Sequence, residues 1–303
     1  MCRYCRFVVL LVFPIAIWSA GGASAQGYAR MYLNAPKDTN MAMFTYLNTR
    51  SNTEADLEII NPGTDARINV GSFTYARIMS IFGRTGGPGF SLPYISVEST
   101  ESDTGKSLLD LHGWGDPSLT FDVNLFGADA MTREELANSP PRTYCSLHLA
   151  LGTPWGSYRA DRVSNLGGNR WTGKATLNYS ITRNEGDSWL DFYATAKVFG
   201  DNDDYFGGRK QSQNPIYSLE THYSHNVTPR IWLGGGLAYT HGGQVTIDGI
   251  ETGTAQNTLR GIASTGFRFW KGTTGIISYS HTLIRPDNSP KEGTLMLQLI
   301  RFF

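Results

Sequence analysis

The chain has 303 residues, 40% of them hydrophobic and 17% charged, with 26 Lys+Arg against 26 Asp+Glu. A neutral balance without a basic block gives no electrostatic footprint for nucleic acid. No stretch after Trp18 is continuously apolar over the ~20 residues that a spanning helix needs, which excludes a helical membrane protein.

The N-terminus reads as a targeting segment. Arg3 and Arg6 form a basic region, Phe7 to Trp18 an apolar one, and Ala23-Ser24-Ala25 an A-x-A cleavage site, so a signal peptide is expected over 1–25 with Gln26 opening the mature chain. The apolar run is too short for a membrane anchor. The signal carries two Arg and no acid, so the mature chain holds 24 basic and 26 acidic residues, a net of −2. Cys2 and Cys5 leave with the signal and Cys145 stays alone, which forbids an internal disulfide. Cys145 shares parity with Leu147 and Leu149, as a small apolar filler would.

From there a period-two pattern takes over. Leu119, Phe121, Val123 and Leu125 alternate with Ser118, Thr120, Asp122 and Asn124, the mark of a strand between an apolar and a polar medium. Twelve such strands are predicted, at 40–49, 66–80, 88–99, 116–126, 142–153, 170–182, 188–200, 215–225, 230–241, 257–270, 273–285 and 293–303. They run to roughly 10–13 residues, longer than the usual strand of about 5–6 and suited to a tilted bilayer crossing. Short connections (Arg183 to Asp187, Asn226 to Pro229, Lys271 and Gly272) alternate with longer Gly/Asp/Asn-rich ones, as in a barrel with periplasmic termini. The exception is 127–141, long for a periplasmic connection. Within it Thr132-Arg-Glu-Glu135 reads as a capping box that opens a short helix, either folded against the barrel mouth or an amphipathic turn on its rim.

The faces separate cleanly. Trp171, Ala175, Leu177, Tyr179 and Ile181 oppose Thr172, Lys174, Thr176, Asn178 and Ser180. Turning the apolar set to lipid keeps charges inside, since a Lys or Arg at the bilayer midplane costs about 2–4 kcal/mol. Trp171 and Tyr239 at one level, and Tyr179, Phe269 and Phe303 at the other, form two aromatic girdles. The fold class is all-β: one transmembrane antiparallel up-and-down barrel of about 12 strands, residues 26–303, in a bacterial outer membrane. A soluble sandwich shares the alternation, but strand length, export signal and terminal Phe303 favour the barrel.

The lumen then presents Asp122, Asn124, Lys174, Asn178, Asp191, Lys197, Glu220, His222, Arg260 and Arg268. Both signs occur, so strong ion selectivity is not promised. Arg260 is the best candidate for a constriction, its planar fork suiting carboxylates or aromatic rings. Gly234, Gly235 and Gly236 in mid-strand suggest a kink or a lateral gap.

With the strands placed, several motifs resemble the outer-membrane transporter family named for the meta-pathway of phenol degradation. They are Leu92-Pro93-Tyr94, Gly113-Trp114-Gly115-Asp116-Pro117, Val123 to Ala128, Gly152 to Tyr158, Asn165-Leu166-Gly167-Gly168-Asn169-Arg170-Trp171, Phe199 to Asn202, Trp232, Gly242-Gly243, and Asn257 with Arg260-Gly261. The resemblance spans nearly the whole mature chain in consistent order and implies a barrel that moves small, often aromatic or hydrophobic, compounds. Asp129 stands where the family pattern would have proline. Asn165, Gly167, Asn169, Arg170 and Trp171 read as an outer turn with an interface anchor, or as a loop that contacts solute.

Enzyme signatures are missing: no G-x-S-x-G elbow, no H-E-x-x-H, no P-loop. The six histidines (112, 148, 222, 225, 241 and 281) lack metal-ligand spacing. His148 and Asp122 fall on polar faces of adjacent predicted strands, a conceivable base and orienter without an evident serine. The expected function is passive passage of small molecules, without catalytic residues, cofactor or metal. Its partners would be outer-membrane lipid and a small-molecule solute, not nucleic acid, with the oligomeric state open. The alternatives are an outer-membrane lipid-modifying hydrolase and a structural barrel with a plugged lumen.

Overall fold

The computed structural model describes residues 27–32, 34–52, 64–270, 272–286 and 289–303; the expected signal peptide lies outside the described residues. In chain order the strands are β1 (Thr39–Ser51), β2 (Thr64–Ile81), β3 (Arg84–Glu101), β4 (Ser107–Trp114), β5 (Ser118–Phe126), β6 (Tyr144–Gly152), β7 (Thr172–Arg183), β8 (Ser188–Phe199), β9 (Asn202–Tyr205), β10 (Arg209–Gln213), β11 (Ile216–Thr228), β12 (Ile231–Gly242), β13 (Val245–Ile247), β14 (Ile250–Glu251), β15 (Gln256–Trp270), β16 (Thr273–Ile284) and β17 (Glu292–Phe302). Twelve of them, β1, β2, β3, β5, β6, β7, β8, β11, β12, β15, β16 and β17, pair antiparallel in that order, and β17 pairs back to β1. These twelve strands close the barrel.

The alternation sorts side chains as expected. On β7, Leu177 and Tyr179 are exposed outward while Asn178 and Ser180 are fully buried inside. Outward aromatics sit towards the strand ends, Trp171 and Tyr239 at one and Tyr179, Phe269 and Phe303 at the other. Cys145 is a free thiol on the outward parity.

Three features depart from a plain barrel. First, β4 pairs only with the outer half of β3, and β5 with its inner half, so one stave is broken at 115–117. Second, β9, β10, β13 and β14 form a small four-stranded sheet on the long-loop side, made of strands of two to five residues, too short for the alternation to flag. Third, the segment before β1 enters the barrel.

The connection after β5 holds the short helix α1 (Arg133–Asn138), closed by the expected capping box: Thr132 Oγ1 accepts from Glu135 N–H, and Glu135 accepts from Thr132 N–H. None of its residues is buried. Asp129 ties this connection to the barrel through Arg84 on β3, and to its own far end through Arg142 at 3.4 Å. A carboxylate at this place therefore supplies an anchor that proline would not.

The expected kink at Gly234–Gly236 is not there. β12 stays in unbroken register with β11 and β15 through all three glycines. Their reason lies inside: a Cβ at Gly234 would sit 2.9 Å from the Ala29 side chain, and one at Gly236 would sit 2.3 Å from His222 Nδ1. Glycine here permits close approach rather than bending.

Candidate functional site

The interior is organised by residues 27–32 and 34, which lie in the lumen and leave a cavity along one side. Tyr28, Ala29 and Arg30 are 3%, 0% and 7% exposed. Tyr28 and Ala29 pack with Leu47, Trp232, Ile276 and Met296 into an apolar cluster inside the barrel. Polar contacts fix the rest. Gly27 N–H donates to Glu220 Oε2 at 2.9 Å, and Arg30 N–H to Asp191 Oδ2 at 2.8 Å. The Arg30 guanidinium reaches Ser224 Oγ, Asn226 Oδ1 and the Asp187 carbonyl. Tyr193 and Tyr144 hydroxyls donate to the carbonyls of Tyr28 and Tyr32. An inserted segment without secondary structure must find partners for its own backbone, and these strands provide them.

All ten residues expected in the lumen share the inward parity of their strands, but the structure divides them by environment. Asp191, fully buried, accepts from Ser180 and from the inserted backbone. Glu220 holds Gly27 and His222, the latter at 3.1 Å. Asn178 donates to Ser146 Oγ, and Asn124 to Asn34. Arg260 is 4% exposed and committed to Glu292, Ser280 and Thr294 on the wall, away from the cavity lining. Its partner Glu292 lies 32 positions along the chain. Lys174 and Arg268 instead line the cavity, and Lys197 lies directly across from Lys174 in the β7–β8 ladder.

The cavity has a volume of about 540 Å³ and runs between the inserted segment and a wall formed by β1–β7 together with β15–β17. Met31, Met41, Met43, Trp232 and Ile276 give it an apolar lining, with Asp122, His148, Lys174 and Arg268 as charged or titratable groups. A separate hollow of about 810 Å³ lies on the outward surface beside Gly71, among Phe44, Phe73, Leu92 and Phe269, and is part of the apolar exterior.

One arrangement was only half visible in the sequence. His148 Nδ1 is 2.8 Å from Asp122 Oδ1, and His148 Nε2 is 2.8 Å from Ser146 Oγ. Tyr32 stacks on the imidazole at 3.7 Å between ring centroids. Ser146 precedes His148 at spacing two, the strand period that puts both on one face. The serine is 2% exposed, and its oxygen also accepts from Asn178.

At the long-loop rim, the two most specific motifs meet. Asp116, 1% exposed, accepts from Gly156 N–H and Gly168 N–H, each at 2.7 Å. Burial pushes its carboxyl above the ordinary value, opposed by those two N–H groups and by nearby Arg170. Asp116 thus pins the 153–171 loop over the break between β4 and β5. Asn165 closes the loop on Arg159 and Arg162, and Asn169 donates to Asn202. Gly167 meets Gly156 backbone so closely that a Cβ there would be 2.8 Å away. Arg170 lies over the Phe199 ring, and Trp171 meets Trp155 edge-on.

Comparisons with known proteins agree with this architecture. The sequence profile of a family described as "Putative MetA-pathway of phenol degradation" matches residues 34–282. The fold is similar to the crystal structure of an outer membrane channel from Pseudomonas putida F1, with TM-score 0.77 and 23% identity over 92% of this chain and all of that one. It is also similar to the β domain of the Bordetella autotransporter BrkA, with TM-score 0.53 and 12% identity over 88% of this chain and 100% of that one. Comparison with curated protein sequences finds no match.

Proposed function

The chain belongs to the family described by MetA-pathway phenol degradation, and from that premise we propose that it is an outer-membrane channel for passive uptake of small aromatic or hydrophobic molecules. The observation that carries this reading is the 540 Å³ cavity beside the inserted segment, lined by methionine and aromatic side chains. Such a volume lies within the range of small-molecule sites. The exposed apolar exterior suits hydrocarbon, and the short-turn end, with both termini of the barrel, faces the periplasm. Twelve strands enclose more room than eight, whose interiors fill with side chains; here the inserted segment takes up much of that room and leaves the side cavity as the path. The third alternative, a fully plugged barrel, is distinguished by permeation. Purified protein in liposomes is expected to admit small phenols and aromatic acids that empty liposomes exclude. Folded barrels that admit none would overturn the reading.

A hydrolase is kept as a second reading because Ser146, His148 and Asp122 stand in relay order at hydrogen-bond distances. Against it, the backbone N–H groups around Ser146 are engaged in the β5–β6–β7 ladder, so no amide pair is free to hold an oxyanion. Labelling with a fluorophosphonate probe separates the two: adduct on Ser146 that is lost in His148→Ala supports hydrolysis, and an unlabelled folded barrel removes it.

A further inference from the structure

We propose that the path is selective for small aromatic carboxylates, with Lys174 and Lys197 as the pair that gathers the carboxylate; this rests on the channel reading above. What decides it is which interior charged groups already have hydrogen-bond or ion-pair partners. On the barrel strands the acids Asp122, Asp191, Glu220 and Glu292 are each engaged. Asp122 is held by His148, Asp191 by Ser180 and the Arg30 backbone, Glu220 by Gly27 and His222, and Glu292 by Arg260. Arg30 and Arg260 are engaged likewise, through the contacts given above.

Three inward cations are left over. Among the described residues, the side chains of Lys174, Lys197 and Arg268 make no hydrogen bond or ion pair. Lys174 and Lys197 are direct cross-strand partners on β7 and β8. Like charges in that relation destabilise a sheet, and an anion between them relieves the repulsion. Lys197 Nζ lies 5.0 Å from the Phe199 ring centroid, and the Arg170 guanidinium lies 4.9 Å from the same ring, so three cations converge at the long-loop end of the interior. Arg268 lines the same cavity near the opposite, short-turn end of β15.

Between those ends the lining includes Met31, Met41, Met43, Tyr32 and Trp232, with Asp122 and His148 beside them. Thioether and aromatic groups favour an aromatic ring over an alkyl chain of equal charge. A cationic mouth, a soft aromatic passage and a cationic exit together fit an anion carrying one ring. The sequence, showing both signs, could not reveal this: it does not tell that the acids have hydrogen-bond partners on the inserted segment and the wall while the two lysines have none, Asp122 and Glu220 reaching Lys174 only through space.

The test is bilayer recording of the full-length barrel in a gradient of potassium benzoate at about pH 6.5, where a carboxylate is ionised and the charged form carries the current, with potassium acetate and KCl alongside. Wild type is expected to favour anions over potassium and to pass benzoate better than acetate. In K174Q/K197Q the anion-to-cation permeability ratio should fall about tenfold, with recovery in K174R/K197R. Heat-modifiable migration of each variant verifies that it is folded, and Lys174→Gln alone serves if the double variant is not. Conductance whose reversal potential is the same in wild type and the folded glutamine variant overturns the proposal while the channel reading stands. Equal passage of acetate and benzoate overturns its aromatic part. No conductance in wild type overturns the channel reading and the proposal with it.

Discussion

The two halves of the barrel interior are written in the same alternating code, yet they have opposite fates. On the β8–β11–β12 side, Asp191, Glu220, His222, Gly234 and Gly236 are spent on receiving the inserted segment. On the side of β15–β17 and β1–β7, the wall stands back, and a cavity with Lys174 on its lining remains. Polarity of an inward face therefore says that it is wet or paired, not which. The difference is made by a strandless stretch that supplies backbone donors and one arginine.

The strongest way to break the comparison is to remove its cause. Deleting Gly27–Tyr32 should make both halves alike and raise single-channel conductance several-fold; an unchanged conductance in a folded barrel would show that the segment does not limit the path. Next comes Gly236→Ala on the receiving side. Its Cβ meets His222 Nδ1 at 2.3 Å, an overpacking expected to cost about 1–3 kcal/mol, read as a lower melting temperature of the heat-modifiable band. A smaller effect is expected on the open side. Ala150→Val adds methyl groups at the cavity lining, so conductance should drop while stability stays within about 0.5 kcal/mol. The smallest belongs to Gly235→Ala on the outward face, where the only atom near a Cβ is a carbonyl oxygen at 3.6 Å. Neither melting nor conductance should move there, and a large shift would mean that the three glycines act as one unit.

These contrasts mark what the sequence could convey. The twelve staves were legible because burial against two media imposes period two over long segments, and the helix after β5 was legible because its capping box is local. The parity of Lys174, Asp191 or Arg260 followed from the same period. Their partners did not, because the ion pair of Arg260 with Glu292 and the bond of Asp191 to Arg30 join positions far apart in the chain. Residues 27–32 carry no periodicity, so nothing announced that they enter the lumen. The glycines of β12 were the one available sign, and it was ambiguous: a missing side chain in a strand means either a bend or a close neighbour. Ser146 was hidden for a related reason, since a relay on spacing two looks like any polar face.

The pairing of β1 with β17 has a consequence for kinetics. Eleven residue pairs, from Met41 with Phe302 to Ser51 with Glu292, join the two extremes of the sequence, so their contact order is close to the largest this length allows. The other ladders bring together strands that follow one another closely in the chain, and each can zip locally. The seam alone must wait for the entire wall to curl, and a mutation that weakens it should slow assembly more than one of equal cost elsewhere.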